Sequence, residues 1–184
     1  MARLPYLDEA DLKPEDRDLL KRPINLHRMH AHSPGMARPF TALGHHIRYG
    51  STLDPRLREL AILQVGYLTK SPYEYSHHLK IGKDFGVTDA DIAAIDTETN
   101  GGISDLPELD RTVLRAAREM TENLKASDTT FATLQAHFSN EHLVDLVTII
   151  AFYNGVVRFL ATMDVDVEPG SSYEAAIMEN PLPE

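Results

Sequence analysis

Glu74 and His78 lie four residues apart in the stretch SPYEYSHHLKIGKDFG, residues 71–86. On a helix, side chains at i and i+4 meet. A carboxylate beside an imidazole is an acid–base unit: the carboxylate raises the imidazole pKa and burial lowers it. The balance could hold His78 near neutrality, where a proton-transfer group is useful. A second carboxylate, Glu59, stands in RLRELAILQVGYLT, a segment apolar almost all round apart from Arg56, Arg58, Glu59 and Gln64. Arg56 and Glu59 share a face at i, i+3. Either they form a salt bridge at an exposed helix start, or Glu59 points inward, toward the Glu74–His78 pair.

A helical wheel at about 100° per residue sharpens the first pair. Glu74 and His78 fall in one narrow arc with Ile81 and Phe85, the face that should be apolar. Tyr75 and Leu79 flank that arc on one side, and Tyr73 and His77 on the other. Ser76, Lys80, Lys83 and Asp84 occupy the far side and read as solvated. Burying Glu74 or His78 alone would be costly, and together they can satisfy each other. A structural Glu–His pair or a half-exposed face would give the same pattern without chemistry.

The elements that must position these groups are helical. Pro14 starts a short helix, KPEDRDLLKR, and INLHRMHAH follows. Three cap-and-proline signals, Ser33-Pro34, Asp54-Pro55 and Ser71-Pro72, open three further helices. Gly50 and Gly86 stop two of them. Thr88 caps a short DADIAAI helix, and DTETNGGISDLPELD reads as a polar loop. PELDRTVLRAAREMTENLKA carries a helical apolar stripe, TTFATLQAHF reads as a short helix, and EHLVDLVTIIAFYNGVVRFLATM reads as a long buried one. The last residues, DVDVEPGSSYEAAIMENPLPE, lack periodicity and read as an extended or fraying arm. The fold class is all-α, in one domain over 1–184, with a core at about 24–163 and peripheral ends.

Composition narrows the function. Of the 184 residues, 42% are hydrophobic, enough for a sizeable core. The net charge is −10 and no Lys/Arg block occurs, which disfavours nucleic-acid binding. There is no cysteine, which removes disulfides, thiolate metal sites and every thiol mechanism. The first residues, MARLPYLDEADLKPEDRDLL, have no apolar core and do not read as a signal peptide. The long apolar run contains Asp145, Asn154 and Arg158 and reads as a globular core helix sooner than a membrane span. A cytoplasmic protein without membrane association is the expectation.

The stretch LDPRLRELAILQVGYLTKSPYEYSHHLKIGKDFGVTDADIAAI, residues 53–95, resembles the carboxymuconolactone decarboxylase family, which includes the alkyl-hydroperoxidase D-type proteins. In the hydroperoxidase branch the pattern is a glutamate, eleven residues, C-x-x-C, three residues and a histidine. Here Glu59 takes the glutamate position, Ser71 and Glu74 the two cysteine positions, and His78 the histidine. With both cysteines missing, thiol peroxidase activity is not expected. The Glu-x-x-x-His helix is similar to that of the decarboxylase branch. The resemblance implies an all-α bundle of the alkyl-hydroperoxidase D type, a trimer or hexamer with sites near subunit contacts, and a lyase of aromatic-compound catabolism that uses no metal or organic cofactor. The substrate would be a small unsaturated lactone or keto acid.

On that reading His78 transfers the proton, Glu74 sets its orientation and charge or acts as a second acid or base, and Glu59 holds the network or handles a second proton. His77, Tyr73, His45, His46, Arg48 and Arg158 are candidate substrate-binding residues, the arginines because Arg grips carboxylates. Adjacent histidines point about 100° apart, so at most one of His45/His46 and of His77/His78 should face a given site. Isomerase, hydrolase or dehydratase chemistry on a related acid would need the same residues. A metal site from Glu59, Glu74 and His78 is a third possibility, although the di-iron helix signature uses Glu-x-x-His. A non-catalytic binder or scaffold is the fourth.

Overall fold

Proline and a capping side chain set the start of the helix on which the fold is built. In the computed structural model, which describes residues 2–183, Asp54 accepts hydrogen bonds from the backbone N–H groups of Arg56 and Leu57, at 2.8 and 3.1 Å. Pro55 then occupies the first helical turn, where its missing N–H costs nothing. Pro34 and Pro72 open two further helices in the same way, but Ser33 and Ser71 make no side-chain cap bond.

Two short 3-10 helices, Glu9–Asp11 and Pro14–Leu20, precede nine α-helices among the described residues. These are α1 (Asn25–His30), α2 (Pro34–Tyr49), α3 (Pro55–Leu68), α4 (Pro72–Asp84), α5 (Asp89–Thr99), α6 (Glu108–Asn123), α7 (Asp128–His137), α8 (Asn140–Met163) and α9 (Ser172–Glu179). No strand occurs among them. The all-α bundle is as the sequence predicts.

Helix α3 is the hub. It packs on α4, α5, α6 and α8, and Leu57 through Tyr67 are buried without a break. Fully burying one leucine stabilises the fold by about 1.5–3 kcal/mol, and Leu60 and Leu63 are both at 0% exposure. The α3–α4 hairpin is tight because glycine permits it. A Cβ on Gly66 would sit 3.2 Å from the backbone nitrogen of Tyr75. Lys70, with φ 50°, takes the left-handed turn between the helices.

Four expectations change. Helix α5 runs on through Asp96–Thr99, which the sequence assigns to a polar loop; a Thr88–Asp91 capping box starts it, and Gly101 at φ 80° follows its end. The C-terminal arm is not simply extended: Ser171 caps α9, which lies against α4. Its Tyr173, Ala176 and Ile177 form a stripe too short to register as periodicity. Ser76, expected in solvent, is fully buried and donates to the Tyr73 carbonyl at 3.0 Å. Ile81 and Phe85 are only half-buried. Helix α4 is covered by α3 and by α9, while Ile81 borders a cavity.

Candidate active site

The centre of the site is a buried chain of four charged groups from α3 and α4. Arg58 Nε donates to Glu59 Oε1 at 3.0 Å. His78 Nδ1 lies 2.6 Å from Glu59 Oε2, and His78 Nε2 lies 3.0 Å from Glu74 Oε1. All four side chains are buried, none above 5% exposed. Each ring nitrogen faces a carboxylate, so both carry hydrogens and His78 is an imidazolium. Burial by itself would lower its pKa; Glu59 and then Glu74 more than offset this and raise it to about 9. His78 is therefore charged at neutral pH, where the sequence suggests a balance close to neutrality. Burial would push the Glu59 carboxyl up, but His78 and Arg58 hold it below its ordinary value.

The foursome is neutral overall, which is what makes its burial tolerable. Arg58 also donates from Nη1 to the Arg48 carbonyl at 3.1 Å, and its guanidinium stacks 4.4 Å above the Phe85 ring. Its Nη2 is buried without a partner. The i, i+3 bridge from Arg56 to Glu59 does not form. Arg56 instead ties α3 to Asp91 of α5 and to Asp110 of α6, the latter at 2.7 Å. Glu59 is thereby the inward carboxylate.

A cavity of about 250 Å³ opens beside the cluster. Helix α4 contributes Tyr73, Glu74, His77, His78 and Ile81 to its wall. Phe40, His45 and Arg48 reach it from α2, and Phe152 and Tyr153 from α8. Glu59 does not line it and stands behind His78. Tyr153 sets its ring edge-on to His78, with centroids 5.1 Å apart.

The cavity is cationic in an acidic protein. Arg22 and Arg48 both line it, and neither has a carboxylate partner among the described residues. Among the described residues the Arg22 side chain donates only to the Tyr173 hydroxyl, at 3.3 Å. The single lining carboxylate, Glu74, is committed to His78. His27, whose Nδ1 is 2.9 Å from the Arg22 carbonyl, is pushed below its ordinary pKa by burial.

Two candidates fall elsewhere. His46 does not line the cavity; its ring turns toward Gly50, where an added Cβ would meet Nδ1 at 2.4 Å. Arg158 bonds back one turn to the Asn154 carbonyl and amide oxygens, at 2.6 and 2.9 Å, and faces outward on α8. Of the pair His45/His46, His45 is the one that lines the cavity; both His77 and His78 do, His77 with its ring held between two tyrosines. Sequence reasoning missed Arg22, Tyr153 and Glu168. Arg22 and Tyr153 sit in stretches that read as ordinary helix, and Glu168 in a tail without periodicity. Among the described residues no group of three His, Asp or Glu side chains is arranged to hold a metal ion.

Residues 34–99 match the carboxymuconolactone decarboxylase family. An uncharacterised peroxidase-related protein from Ralstonia eutropha JMP134, described as an alkylhydroperoxidase AhpD core, superposes with a TM-score of 0.75 at 21% identity, over 91% of this chain and 93% of that one. A cysteine-to-alanine variant of the debrominase Bmp8, in complex with 2,3,4-tribromopyrrole, superposes with a TM-score of 0.77 at 21% identity, over 97% and 99% of the two chains. An Agrobacterium tumefaciens protein of unknown function, described as an antioxidant-defence AhpD candidate, gives 0.67 at 22% identity, over 76% and 95%. At these identities the likeness is one of fold. No curated protein matches the sequence.

Proposed function

We propose that this chain, whose residues 34–99 match the carboxymuconolactone decarboxylase family and which contains no cysteine, works by proton transfer, as a cofactor-independent lyase on a small unsaturated lactone or keto acid that carries a carboxylate. The observation that carries this reading is the His78 imidazolium, held between Glu59 and Glu74 at the wall of a cavity that also presents Arg22 and Arg48.

The roles follow from position. Arg22 and Arg48 neutralise and orient a substrate carboxylate. Cleavage of the carbon–carboxylate bond releases CO₂ and leaves an electron pair on carbon, which the substrate's own conjugated carbonyl accepts. The proton that completes the product comes from the Glu74–His78 pair. Both residues line the cavity and are in contact, which supports a relay in which Glu74 passes the His78 proton to the carbon. Glu59 keeps His78 charged and aimed, and Arg58 holds Glu59. Phe40, Phe152 and Tyr153 exclude water from part of the site, which strengthens each charge interaction. Closure by a neighbouring subunit in a homo-oligomer belongs to the same proposal.

The test is CO₂ release from a panel of unsaturated lactone acids and β-keto acids, for the wild type, His78→Ala and Glu74→Gln. Loss of about a hundredfold or more in both variants is the expected result. Unchanged rates in both would remove the assignment of the site.

A further inference from the structure

His77 lines the same cavity and takes no part in the charged cluster. Its ring is clamped: Tyr73 stacks at 4.2 Å on one side and Tyr173 of α9 at 3.6 Å on the other. Its Nε2 lies 2.9 Å from Glu168 Oε2. The other oxygen of Glu168 accepts from the Asn25 backbone N–H at 2.7 Å and from the Tyr73 hydroxyl at 2.9 Å. Burial would raise the Glu168 pKa, but His77 and the Asn25 N–H hold it at about 2. An ionised carboxylate only accepts, so Nε2 carries the hydrogen and Nδ1 keeps its lone pair. Among the described residues nothing hydrogen-bonds to Nδ1.

We propose that His77, oriented by Glu168, is a general base of the cavity that removes a proton from carbon next to a carbonyl, so that the chain also shifts double bonds. The inference rests on the reading that the cavity binds an unsaturated acid. The step balances within the site. The C–H bond breaks, its electron pair enters the adjacent carbonyl as an enolate, and an N–H bond forms at Nδ1. Glu168 supplies the countercharge to the new imidazolium. Glu74, backed by His78, returns a proton at the far carbon of the conjugated system. The product is an isomer, nothing is oxidised or reduced, and the two histidines regain their starting states by exchanging one proton through water.

The surroundings of the two neighbours support this division. Burial pushes His77 below its ordinary pKa, with Glu168 and Glu74 opposing and His78 adding to the fall. His78 is raised. Two titratable groups driven apart in one site make an acid and a base. The charged and titratable groups facing His77 are Glu168 from the C-terminal segment, Tyr173 from α9, His27 from α1, and Tyr73, Glu74 and His78 of its own helix.

Ring-nitrogen NMR of the full chain with labelled histidine, at about pH 7, tests the arrangement without turnover. One neutral histidine protonated on Nε2, whose signal disappears in His77→Gln, is the expected result. Glu168→Gln should convert it to the Nδ1-protonated form, because Asn25 and Tyr73 keep the amide oxygen and leave the amide N–H₂ facing Nε2. An imidazolium, or Nδ1 protonation in the wild type, overturns the proposal. The second measurement is exchange of a carbon-bound hydrogen of a carboxymethyl butenolide into D₂O. His77→Gln and Glu168→Gln should slow it about a hundredfold, with partial recovery in Glu168→Asp. Undiminished exchange in both Gln variants overturns the base role. Because the NMR result does not depend on decarboxylation, its failure and the failure of the lyase reading are separate.

Discussion

His78 Nδ1 and Glu59 Oε2 lie 2.6 Å apart across the α3–α4 hairpin, nineteen residues apart in sequence and both buried. This contact keeps His78 charged, and Glu59 is itself satisfied by Arg58. Removing either carboxylate or cation leaves a partner charged and unmatched in the interior.

Glu59→Gln is therefore expected to destabilise the fold by about 3–5 kcal/mol, the cost of breaking one partner out of a buried pair. Urea unfolding at neutral pH measures it. The same variant should lower the His78 pKa, because burial then acts with less opposition.

The pH dependence has a definite sign. The His78 pKa is raised from 6.5 to about 9 on folding. The stability it contributes is fully present below 6.5 and is lost as the pH rises through about 9. Glu168 acts oppositely: its pKa falls from 4.5 to about 2, so its contribution is present above 4.5 and lost as the pH falls through about 2. Urea midpoints should accordingly drop between about pH 6.5 and 9, and His78→Gln should flatten that limb. A wild-type curve level across this range would contradict the charged His78.

Arg48→Gln should weaken binding of a simple carboxylate probe, succinate, by about tenfold or more, as expected for loss of one charge-assisted contact. Arg158→Gln should leave it unchanged, since Arg158 is outside the cavity wall. Titration calorimetry distinguishes the two. Equal loss in both would contradict the placement of the anion-binding groups.

Gly66→Ala tests the hairpin that brings Glu59 to His78. The new Cβ would lie 3.2 and 3.3 Å from the Tyr75 backbone nitrogen and Cα, atoms that cannot rotate away. Overpacking of this kind costs about 1–3 kcal/mol. A thermal melt as stable as wild type would show that α4 can move aside.

Much of the scaffold was legible because it is governed by local chemistry. Pro34, Asp54-Pro55, Pro72, Thr88 and Gly86 mark helix ends within a few residues of where they stand. The i, i+4 spacing of Glu74 and His78 is enough to make them meet. Tail helix α9 was not legible, since eight residues carry too little periodicity and its docking on α4 is a tertiary contact. Its docking on α4 brings Tyr173 over the His77 ring.

The sequence by itself determined an all-α chain without thiol chemistry, and a helix on which a carboxylate and an imidazole adjoin. Those properties depend on residue type and on neighbours within one turn. Only the tertiary structure decided what state the imidazole is in. Glu59 approaches it across a hairpin, burial amplifies the charge interaction, and the outcome is an imidazolium where spacing suggested a group near neutrality. The same long-range packing put Arg48 in the cavity and left Arg158 outside, and brought Glu168 from the far end of the chain to His77. Chain folding sets such distances, and no local pattern encodes them.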